Sequence, residues 1–282
     1  MIGSLYFKAF KIMNKKICYW SISWGDYDYM VQSLVNSFKQ VGMTEDFITF
    51  TEKPVKNCIN YRLDSSIEKD SLQFFKFEYL KKHMQTMDYD IFVFIDADHY
   101  FVRKPDITVE DILQNSPWHS FLESSINTSE TRRSDWWGVP NNVFEVLMRR
   151  KGVASKEIRN SNGGFWICHK DFINSASELA YKFHNYLKSF NMTVPEEVSI
   201  AYLSHLMSPV LQDRFLENFT NYWASDWTDN FKDAVPTDRE WEYTSYMTYN
   251  KIKVKPAVVH AMRSKKALIE IGKNYLFNFA PL

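Results

Sequence analysis

The sequence contains few cysteines and no pattern that pairs them. Only three occur in 282 residues, at Cys18, Cys58 and Cys168, and none belongs to a Cys-x-x-Cys pair. An odd and sparse set of this kind excludes the disulfide framework of a small secreted domain. We therefore expect reduced thiols and predict a cytoplasmic protein.

The chain also has no excess of charge of either sign. Lysine and arginine total 34, aspartate and glutamate total 34, and the isoelectric point is near 7.1. This balance excludes the strongly basic footprint that is typical of nucleic-acid-binding domains. One local basic stretch occurs at 148–159, and we interpret it as a solvated helix end followed by a loop.

Long apolar runs are missing as well. No stretch approaches the roughly 18 consecutive apolar residues that a membrane-spanning helix requires, so we predict no membrane span. The first twelve residues are interrupted by Lys8 and do not form a signal peptide. A natural start occurs at Met13, and we predict a short extension over 1–12 followed by one domain over 13–282.

A regular alternation of strand and helix patterns is what the sequence does contain. Strand patterns at 16–23, 46–52 and 91–95 are separated by amphipathic helix patterns at 24–42 and 71–84. The segment Ile91 to Ile95 has no polar alternation, which is typical of a central parallel strand buried on both faces. This order with short links predicts an α/β fold with a mainly parallel sheet flanked by helices.

Two aspartates follow the most apolar of these strands directly, in the segment FIDAD. Asp96 and Asp98 occupy positions i and i+2, which point to the same side of an extended chain. The carboxyl ends of parallel strands are where open α/β sheets bind their ligands. Mg²⁺ and Mn²⁺ typically bind one or two carboxylates together with substrate phosphates. The pair therefore predicts a metal site that leaves coordination positions for a diphosphate.

A second group of candidates combines histidine with basic side chains. His260 follows an apolar strand pattern and precedes Arg263, Lys265 and Lys266. A histidine there can complete a metal shell while the cations behind it neutralise phosphate, and a purely structural histidine is the alternative. Lys76 lies among phenylalanines on the helix before the aspartates, where it either points to the ligand edge or snorkels to solvent.

Two further segments have a polar or glycine-rich character at a predicted element boundary. Asn162, Gly163 and Gly164 precede a predicted strand, Phe165 to Cys168. Glycines permit close approach of the backbone to a ligand, and a plain turn is the alternative. Glu196-Glu197 opens a helix, where acids suit the helix dipole. A carboxylate there also suits an acceptor hydroxyl or a developing oxocarbenium ion.

In their order along the chain these segments resemble the GT-A glycosyltransferases, and the pattern is most similar to that of the glycogenin-like retaining enzymes. The segment FIDAD resembles the metal-binding Asp-x-Asp of that family. The resemblance implies that the first strand and turn bind the nucleotide, with Asp26 and Tyr27 where the base and ribose are held. It also implies that Lys76 contacts the donor, and that the segment 162–164 touches the donor sugar.

The same resemblance extends to the last third of the chain. The family closes with His-x-x-Gly-x-x-Lys, in which the histidine is a metal ligand and the lysine binds phosphate. His260 and Lys266 match this pattern, and Arg263 stands at the glycine position and adds positive charge. Glu196 or Glu197 takes the place where the family often has Asp-Gln before a helix.

The resemblance implies a metal-dependent transferase that moves a sugar from a nucleotide diphosphate, most simply UDP, to an acceptor hydroxyl with retention. The cofactor is then Mn²⁺ or Mg²⁺, and the residues expected to carry the chemistry are Asp96, Asp98, Glu196 and Glu197. The acceptor stays open between glycan, protein, lipid and a modified nucleic-acid base, as does the oligomeric state. A non-catalytic protein that binds nucleotide sugars or glycans is the main alternative. A haloacid dehalogenase-type phosphatase is disfavoured, because Tyr100 stands where that pattern has Thr or Val.

Overall fold

The computed structural model describes most of the chain in eleven segments. These are residues 15–63, 72–106, 108–113, 116–125, 135–136, 139–154, 158–191, 196–207, 220–221, 234–244 and 251–277. The predicted extension over 1–12 lies outside the described residues. Within these ranges no helix is both long enough and apolar enough to cross a membrane.

The described residues form thirteen strands. They are β1 (Ile17–Ile22), β2 (Asp46–Thr51), β3 (Ile59–Arg62), β4 (Ile91–Ile95), β5 (His99–Phe101), β6 (Trp118–Ser125), β7 (Asp135–Trp136), β8 (Val139–Pro140), β9 (Arg159–His169), β10 (Thr220–Asn221), β11 (Trp241–Thr244), β12 (Lys251–Val254) and β13 (Val258–His260).

Seven α-helices accompany them in the same residue ranges. They are α1 (Tyr27–Gln40), α2 (Leu72–Tyr79), α3 (Val109–Leu113), α4 (Asn141–Arg150), α5 (Ile173–Lys188), α6 (Glu196–Met207) and α7 (Lys265–Phe277). A π-helical turn, Leu80–Met84, extends α2, and short 3-10 turns, Lys170–Phe172 and Met262–Ser264, precede α5 and α7.

Six strands form one central sheet in the order β3-β2-β1-β4-β9-β6. The first four run parallel, and β9 runs antiparallel to both of its neighbours, β4 and β6. The predicted α/β class with a mainly parallel sheet is therefore confirmed. The prediction that β4 is a central parallel strand is correct for its pairing with β1, whereas its other neighbour, β9, is antiparallel.

Alternating side chains of β4 divide the core into two layers. Ile91, Val93 and Ile95 pack on the face covered by α1 and α7, where they join Met30, Leu34, Phe38 and Leu268. Phe92 and Phe94 pack on the opposite face, covered by α2, α5 and α6, among Trp20, Phe77, Trp118 and Trp166. Since both faces are covered, the strand needs apolar residues at every position, which explains the unbroken run in the sequence.

The position of the glycine pair corrects one sequence-based expectation. Gly163 and Gly164 lie inside β9, an eleven-residue strand, and not in a turn before it. The strand continues past the glycines because β6 pairs with β9 on both sides of them, Leu122 opposite Ser161 and Ser120 opposite Trp166, with a register shift between these two pairs, while β4 pairs with the second half, Ile95 opposite Phe165. Pairing with neighbouring strands thus overrides the local turn signal of two glycines.

A small second sheet joins the last third of the chain to the first. Its order is β10-β13-β5, and His260 of β13 stands directly opposite His99 of β5 in an antiparallel pair. The backbone amide of Ala261 also donates a hydrogen bond of 2.6 Å to the carbonyl of Asp98. This pairing carries the end of β13 to the segment that follows β4.

Buried histidines make the stability of this fold depend on pH. Burial lowers the pKa of His119, in β6, to about 4, whereas an unfolded chain has a histidine pKa near 6.5. Between these values only the unfolded chain takes up the proton, so full stability is present above pH 6.5 and is lost as pH falls. We expect the free energy of unfolding to fall by about 2 kcal/mol between pH 7 and pH 5 from this group.

Urea unfolding at pH 7 and pH 5 measures this loss. His119→Gln should reduce the difference between the two pH values, because glutamine does not titrate. His83→Gln is the control, since His83 lies half-buried near the surface at the end of α2, and it should keep most of the difference. An unchanged difference in His119→Gln would assign the pH dependence to other groups.

Candidate functional site

The candidate site lies at the carboxyl edge of the central sheet, between β1 and β4. The chain proceeds from β1 to β2 and β3 on one side, and then returns to place β4 on the other side of β1. Open α/β sheets bind ligands outside the strand ends where the winding direction reverses in this way. Asp26 and Tyr27 follow β1, and Asp96 and Asp98 follow β4, so these four predicted residues lie at the same edge.

Asp98 is the centre of one polar cluster. Its Oδ1 lies 3.1 Å from Nε2 of His260 and 3.9 Å from Nδ1 of His99, and its Oδ2 lies 3.2 Å from Nζ of Lys265. Burial alone would raise the pKa of this carboxyl, but His260, Lys265 and His99 outweigh burial and hold the pKa well below its usual range. The Asp98 side chain is therefore a carboxylate in a cationic pocket.

Cross-strand pairing explains why two histidines meet at this carboxylate. His99 and His260 are direct partners in the β5–β13 pair, and directly opposed residues of an antiparallel pair project to the same face. Their rings stack with centroids 4.3 Å apart and planes within 7°. Burial, with the nearby His260, holds the pKa of His99 well below its usual range, so this imidazole is neutral.

Lys76 is the centre of a second, adjacent cluster. Its Nζ lies 2.9 Å from Oε1 of Glu196 and 3.2 Å from Oδ1 of Asp96, and it donates to the carbonyl of Gly163 at 3.3 Å. The Lys76 side chain is only 7% exposed. Burial would lower its pKa, but the attraction of both carboxylates outweighs this and raises it. Lys76 is therefore a permanent cation at the ligand edge.

Asp96 differs electrostatically from its neighbour Asp98. Burial raises the pKa of Asp96; Lys76 lowers it in part, while Asp98 and Glu196 raise it further, and the net shift is upward. The Asp96 backbone amide donates to the carbonyl of Gly164 at 2.8 Å, which ties the end of β4 to β9. The two aspartates of the motif thus serve different clusters, Asp96 with Lys76 and Asp98 with the histidines.

The side chains at the start of α6 lie against Gly163 of β9. A Cβ on Gly163 would lie 2.9 Å from both Oε1 of Glu196 and Cγ of Glu197, which is closer than real Cβ contacts. The Gly163 amide donates to Oε1 of Glu197 at 3.4 Å. The backbone of Asn162 lies in β9 beside this contact. The structure therefore brings Gly163 and both glutamates together with Lys76.

The first turn adds an aromatic surface next to the Asp98 cluster. Tyr27 is 43% exposed, its ring centroid lies 5.3 Å from Nζ of Lys265, and the ring of Trp24 lies 6.1 Å away. Asp26 is exposed at the start of α1, with a carboxylate oxygen 4.0 Å from Nζ of Lys53. The turn therefore presents the ring of Tyr27 and the carboxylate of Asp26, and the ammonium groups of Lys265 and Lys53 approach them from other segments.

A buried aspartate holds this turn in place. Asp28 accepts hydrogen bonds from the Ser23 hydroxyl at 2.6 Å and from the Lys53 amide at 2.9 Å. The first bond closes the turn between β1 and α1, and the second joins this turn to the segment after β2. Asp28 therefore has a structural role, whereas its neighbours Asp26 and Tyr27 face outward.

The three basic residues after β13 have different positions. Lys265, at the start of α7, is half-buried and contacts Asp98, whereas Arg263 and Lys266 are exposed. The structure therefore brings Lys265 to Asp98, and no contact of the predicted phosphate-binding residues Arg263 and Lys266 with Asp98 occurs among the described residues. His99 was not among the predicted site residues. Only knowledge of the β5–β13 pairing would have identified it.

The side chains of the Asp98 cluster can hold a metal ion. One ligand atom from each of Asp98, His99 and His260 lies within 4.8 Å of the other two, and all three residues are buried. A carboxylate with two imidazoles is a donor set that divalent transition metals bind. Asp96 belongs to the neighbouring Lys76 cluster. The residues present therefore fit a divalent cation at this edge.

A cavity of about 1020 Å³ lies at the opposite edge of the sheet. Its lining includes Lys16, Ile17 and Asp46, which stand at the amino ends of β1 and β2, together with Tyr61 and Asp88. Lys16 and Asp88, which line this cavity, form an ion pair with shifted pKa values, but both side chains are exposed. The ion-paired groups Lys76, Asp96, Asp98 and Lys265, whose pKa values are also shifted, are buried or half-buried and lie at the carboxyl edge. We assign the function to that edge because such groups cluster at functional sites. A scan against protein-family models and a search of curated proteins each find no match to this chain.

Proposed function

We propose that this protein is a metal-dependent glycosyltransferase with a GT-A fold, which transfers a sugar from a nucleoside diphosphate, UDP in the simplest case, to an acceptor hydroxyl. One observation carries the proposal: Asp98 meets His260, from a segment 162 positions later in the chain, at the switch point of the sheet. The hydrogen-bonded pair of strands β5 and β13 brings this carboxylate and imidazole together. Such an arrangement is expected of a binding site and not of a solvated loop.

The first turn supports binding of the nucleoside. Tyr27 and Trp24 offer flat faces on which a base can stack, and Asp26 offers a carboxylate that can accept hydrogen bonds from base or ribose. Lys265 lies between this turn and Asp98, which is where the phosphates of a nucleotide bound in this orientation would lie. Arg263 and Lys266 would add positive charge.

The Asp98 cluster supports binding of the diphosphate through Mn²⁺ or Mg²⁺. Asp98 and His260 would hold the ion, with Asp96 adjacent on the same strand end. A bound divalent cation supplies Lewis-acid stabilisation of the charge that develops on a leaving diphosphate. Lys265 would act with it, because its ammonium is already held within 3.2 Å of Asp98.

The Lys76 cluster supports binding of the sugar. The cluster offers the Lys76 ammonium and, each within 3.3 Å of it, carboxylate oxygens of Asp96 and Glu196 and the carbonyl oxygen of Gly163. Hydroxyl groups of a sugar both donate and accept, so they can replace parts of this network. Glu196 and Glu197 are the carboxylates closest to Gly163, and they would face the anomeric carbon or the acceptor.

In the proposed reaction the bond between the anomeric carbon and the β-phosphate oxygen breaks, and a bond from that carbon to the acceptor oxygen forms. The hydroxyl proton of the acceptor passes to the leaving phosphate on the same face, so the anomeric configuration is kept. Lys76 orients Asp96 and Glu196 in this scheme, and Lys265 neutralises the departing diphosphate.

Calorimetric titration of UDP with and without Mn²⁺ tests the proposal. The wild-type protein should bind UDP only with the metal present, and Asp98→Asn should weaken this binding at least about tenfold, since even residues that merely support metal ligands contribute 10–100-fold. Asp88→Asn is the matched control, because Asp88 forms an exposed ion pair with Lys16, and it should bind like wild type. Absence of metal-dependent nucleotide binding would overturn the proposal.

Hydrolysis of UDP-sugars without an acceptor separates an enzyme from a binding protein. Slow release of free sugar by the wild type, absent in Asp98→Asn, is the expected result for a transferase. Tight metal-dependent binding with no release of sugar from any donor would instead assign the chain to the non-catalytic nucleotide-sugar-binding class.

A further inference from the structure

Two imidazoles approach one oxygen of the central carboxylate. Nε2 of His260 and Nδ1 of His99 lie 3.1 Å and 3.9 Å from Oδ1 of Asp98, whereas Oδ2 of the same side chain faces Lys265. A carboxylate oxygen and the unprotonated nitrogen of a neutral imidazole each offer a lone pair. Three such atoms converge stably only when a proton or a metal cation lies between them.

The arrangement of the two rings is imposed by the backbone. His99 and His260 face each other across the β5–β13 pair, with nearly parallel rings 4.3 Å apart. Both side chains are buried, so neither ring is free to swing into solvent. The nitrogen atoms of this pair are therefore preorganised relative to Asp98, which lowers the entropic cost of binding an ion there.

The other aspartate of the motif is engaged elsewhere. Oδ1 of Asp96 forms an ion pair of 3.2 Å with Lys76, and Lys76 is itself fixed by Glu196 at 2.9 Å. Moving Asp96 to an ion at Asp98 would separate a carboxylate from a buried ammonium. His99 would give up only the contact of its Nδ1 with the Asp96 carbonyl, and one of its ring nitrogens already lies within 4.8 Å of both other ligand atoms.

We propose that His99 is the third protein ligand of the metal site, so that the ion is held by one carboxylate oxygen and two imidazole nitrogens. This inference rests on the metal site of the proposed function and specifies its selectivity.

Imidazole suits Mn²⁺ less than Zn²⁺ or Co²⁺ but binds all three, whereas Mg²⁺ prefers oxygen ligands and strict octahedral geometry. The site therefore discriminates against Mg²⁺ in favour of transition metals. Nδ1 coordinates in the tautomer that carries its proton on Nε2, and the ion replaces the 3.2 Å contact of Nδ1 with the Asp96 carbonyl.

Pulsed electron paramagnetic resonance of the Mn²⁺-loaded wild-type protein tests the ligand set directly. Each coordinated imidazole contributes ¹⁴N hyperfine coupling, and carboxylates and water contribute none. We expect coupling to two histidine nitrogens. Coupling to a single nitrogen would overturn the inference, and this measurement does not depend on whether any variant folds.

Competition between Mn²⁺ and Mg²⁺ tests the selectivity. Titration of free Mn²⁺ by its continuous-wave signal gives the dissociation constant, and added Mg²⁺ gives the ratio of affinities. His99→Gln should weaken Mn²⁺ binding at least about tenfold, the size expected for loss of a nitrogen ligand, and change Mg²⁺ binding much less. His99→Asp replaces nitrogen by oxygen and should shift the ratio further toward Mg²⁺.

A matched histidine variant and a binding experiment with nucleotide separate the possible failures. His83→Gln removes a histidine of the π-helical turn after α2, which lines the cavity at the opposite edge of the sheet, and should leave the Mn²⁺ to Mg²⁺ ratio unchanged. An unchanged ratio in His99→Gln, with metal-dependent UDP binding intact, would overturn the role of His99 and leave the proposed function standing. No binding of Mn²⁺ by the wild type, with or without UDP, would overturn both.

Discussion

Replacing Lys76 by methionine should lower the free energy of unfolding by about 3–5 kcal/mol, the usual size for removing one partner of a buried ion pair. Methionine keeps the length and much of the volume of the side chain, so little of this loss comes from packing. The loss arises because Glu196 is buried and Asp96 is two-thirds buried, and both carboxylates would remain without their cation. The Phe94 ring, 4.6 Å from the ammonium, provides no replacement.

Urea unfolding of the variant near neutral pH measures this loss. Lys182→Met is the matched control, since Lys182 pairs with Glu178 on the exposed surface of α5, and pairs of that kind contribute less than about 1 kcal/mol. The double variant Lys76→Met/Glu196→Gln should regain part of the loss, because one uncompensated carboxylate is removed. A stability equal to that of Lys182→Met would mean that water solvates the two carboxylates as well as Lys76 does.

The second large effect is expected at Gly272, in α7. An alanine in a helix is usually more stable than a glycine by about 1 kcal/mol. At this position we expect the opposite, a loss of about 3 kcal/mol, at the upper end of the range for overpacking. A Cβ on Gly272 would lie 1.9 Å from the carbonyl oxygen of Tyr29 and 2.6 Å from its carbon. These are backbone atoms of α1, so no side-chain rotation relieves the contact.

The consequence reaches the candidate site, because α1 and α7 begin there. Tyr27 opens α1 and Lys265 opens α7, and Ser33 of α1 donates a short hydrogen bond to the Leu268 carbonyl of α7. Moving the helices apart to accommodate alanine would separate the Tyr27 ring from the Lys265 ammonium. The variant should therefore weaken metal-dependent UDP binding as well as reduce the unfolding free energy.

Gly42→Ala is the control for this substitution. Gly42 has a positive φ of 80° but nothing within 4 Å of the Cβ position, so alanine there costs only the backbone strain of about 1–2 kcal/mol. Unfolding of both variants under the same conditions gives the comparison. If Gly272→Ala were as stable as wild type, α1 and α7 would have to tolerate separation without loss, and their close packing would not position the site.

Secondary structure near the centre of the sheet was predictable to within a few residues. β1, β2 and β4, with helices α1 and α6, follow the apolar patterns because each buries at least one continuous face. β3 was not predicted, since it has only four residues and all four are exposed. Its strand conformation is supplied by hydrogen bonds from β2, which local sequence does not encode.

The candidate site was predictable where its residues follow a strand in sequence. Asp96, Asp98 and His260 stand at strand ends that the apolar pattern locates, and each lies at the carboxyl edge or in the small sheet joined to it. The division of the two aspartates between Lys76 and the histidines was not predictable. That division depends on which cations approach from α2, β13 and α7, elements separated from β4 in the chain.

The sequence by itself determined the class of fold, the burial of β4 and the polarity of the residues that follow it, since these depend on local apolar patterning and on composition. Tertiary structure alone decided that His99 stands beside His260, that Lys265 and not Lys266 contacts Asp98, and that Gly163 lies within a strand against α6. These relations depend on strand register and helix packing between distant segments. The residues that make such contacts are far apart in the sequence and show no periodic pattern from which the contacts could be predicted.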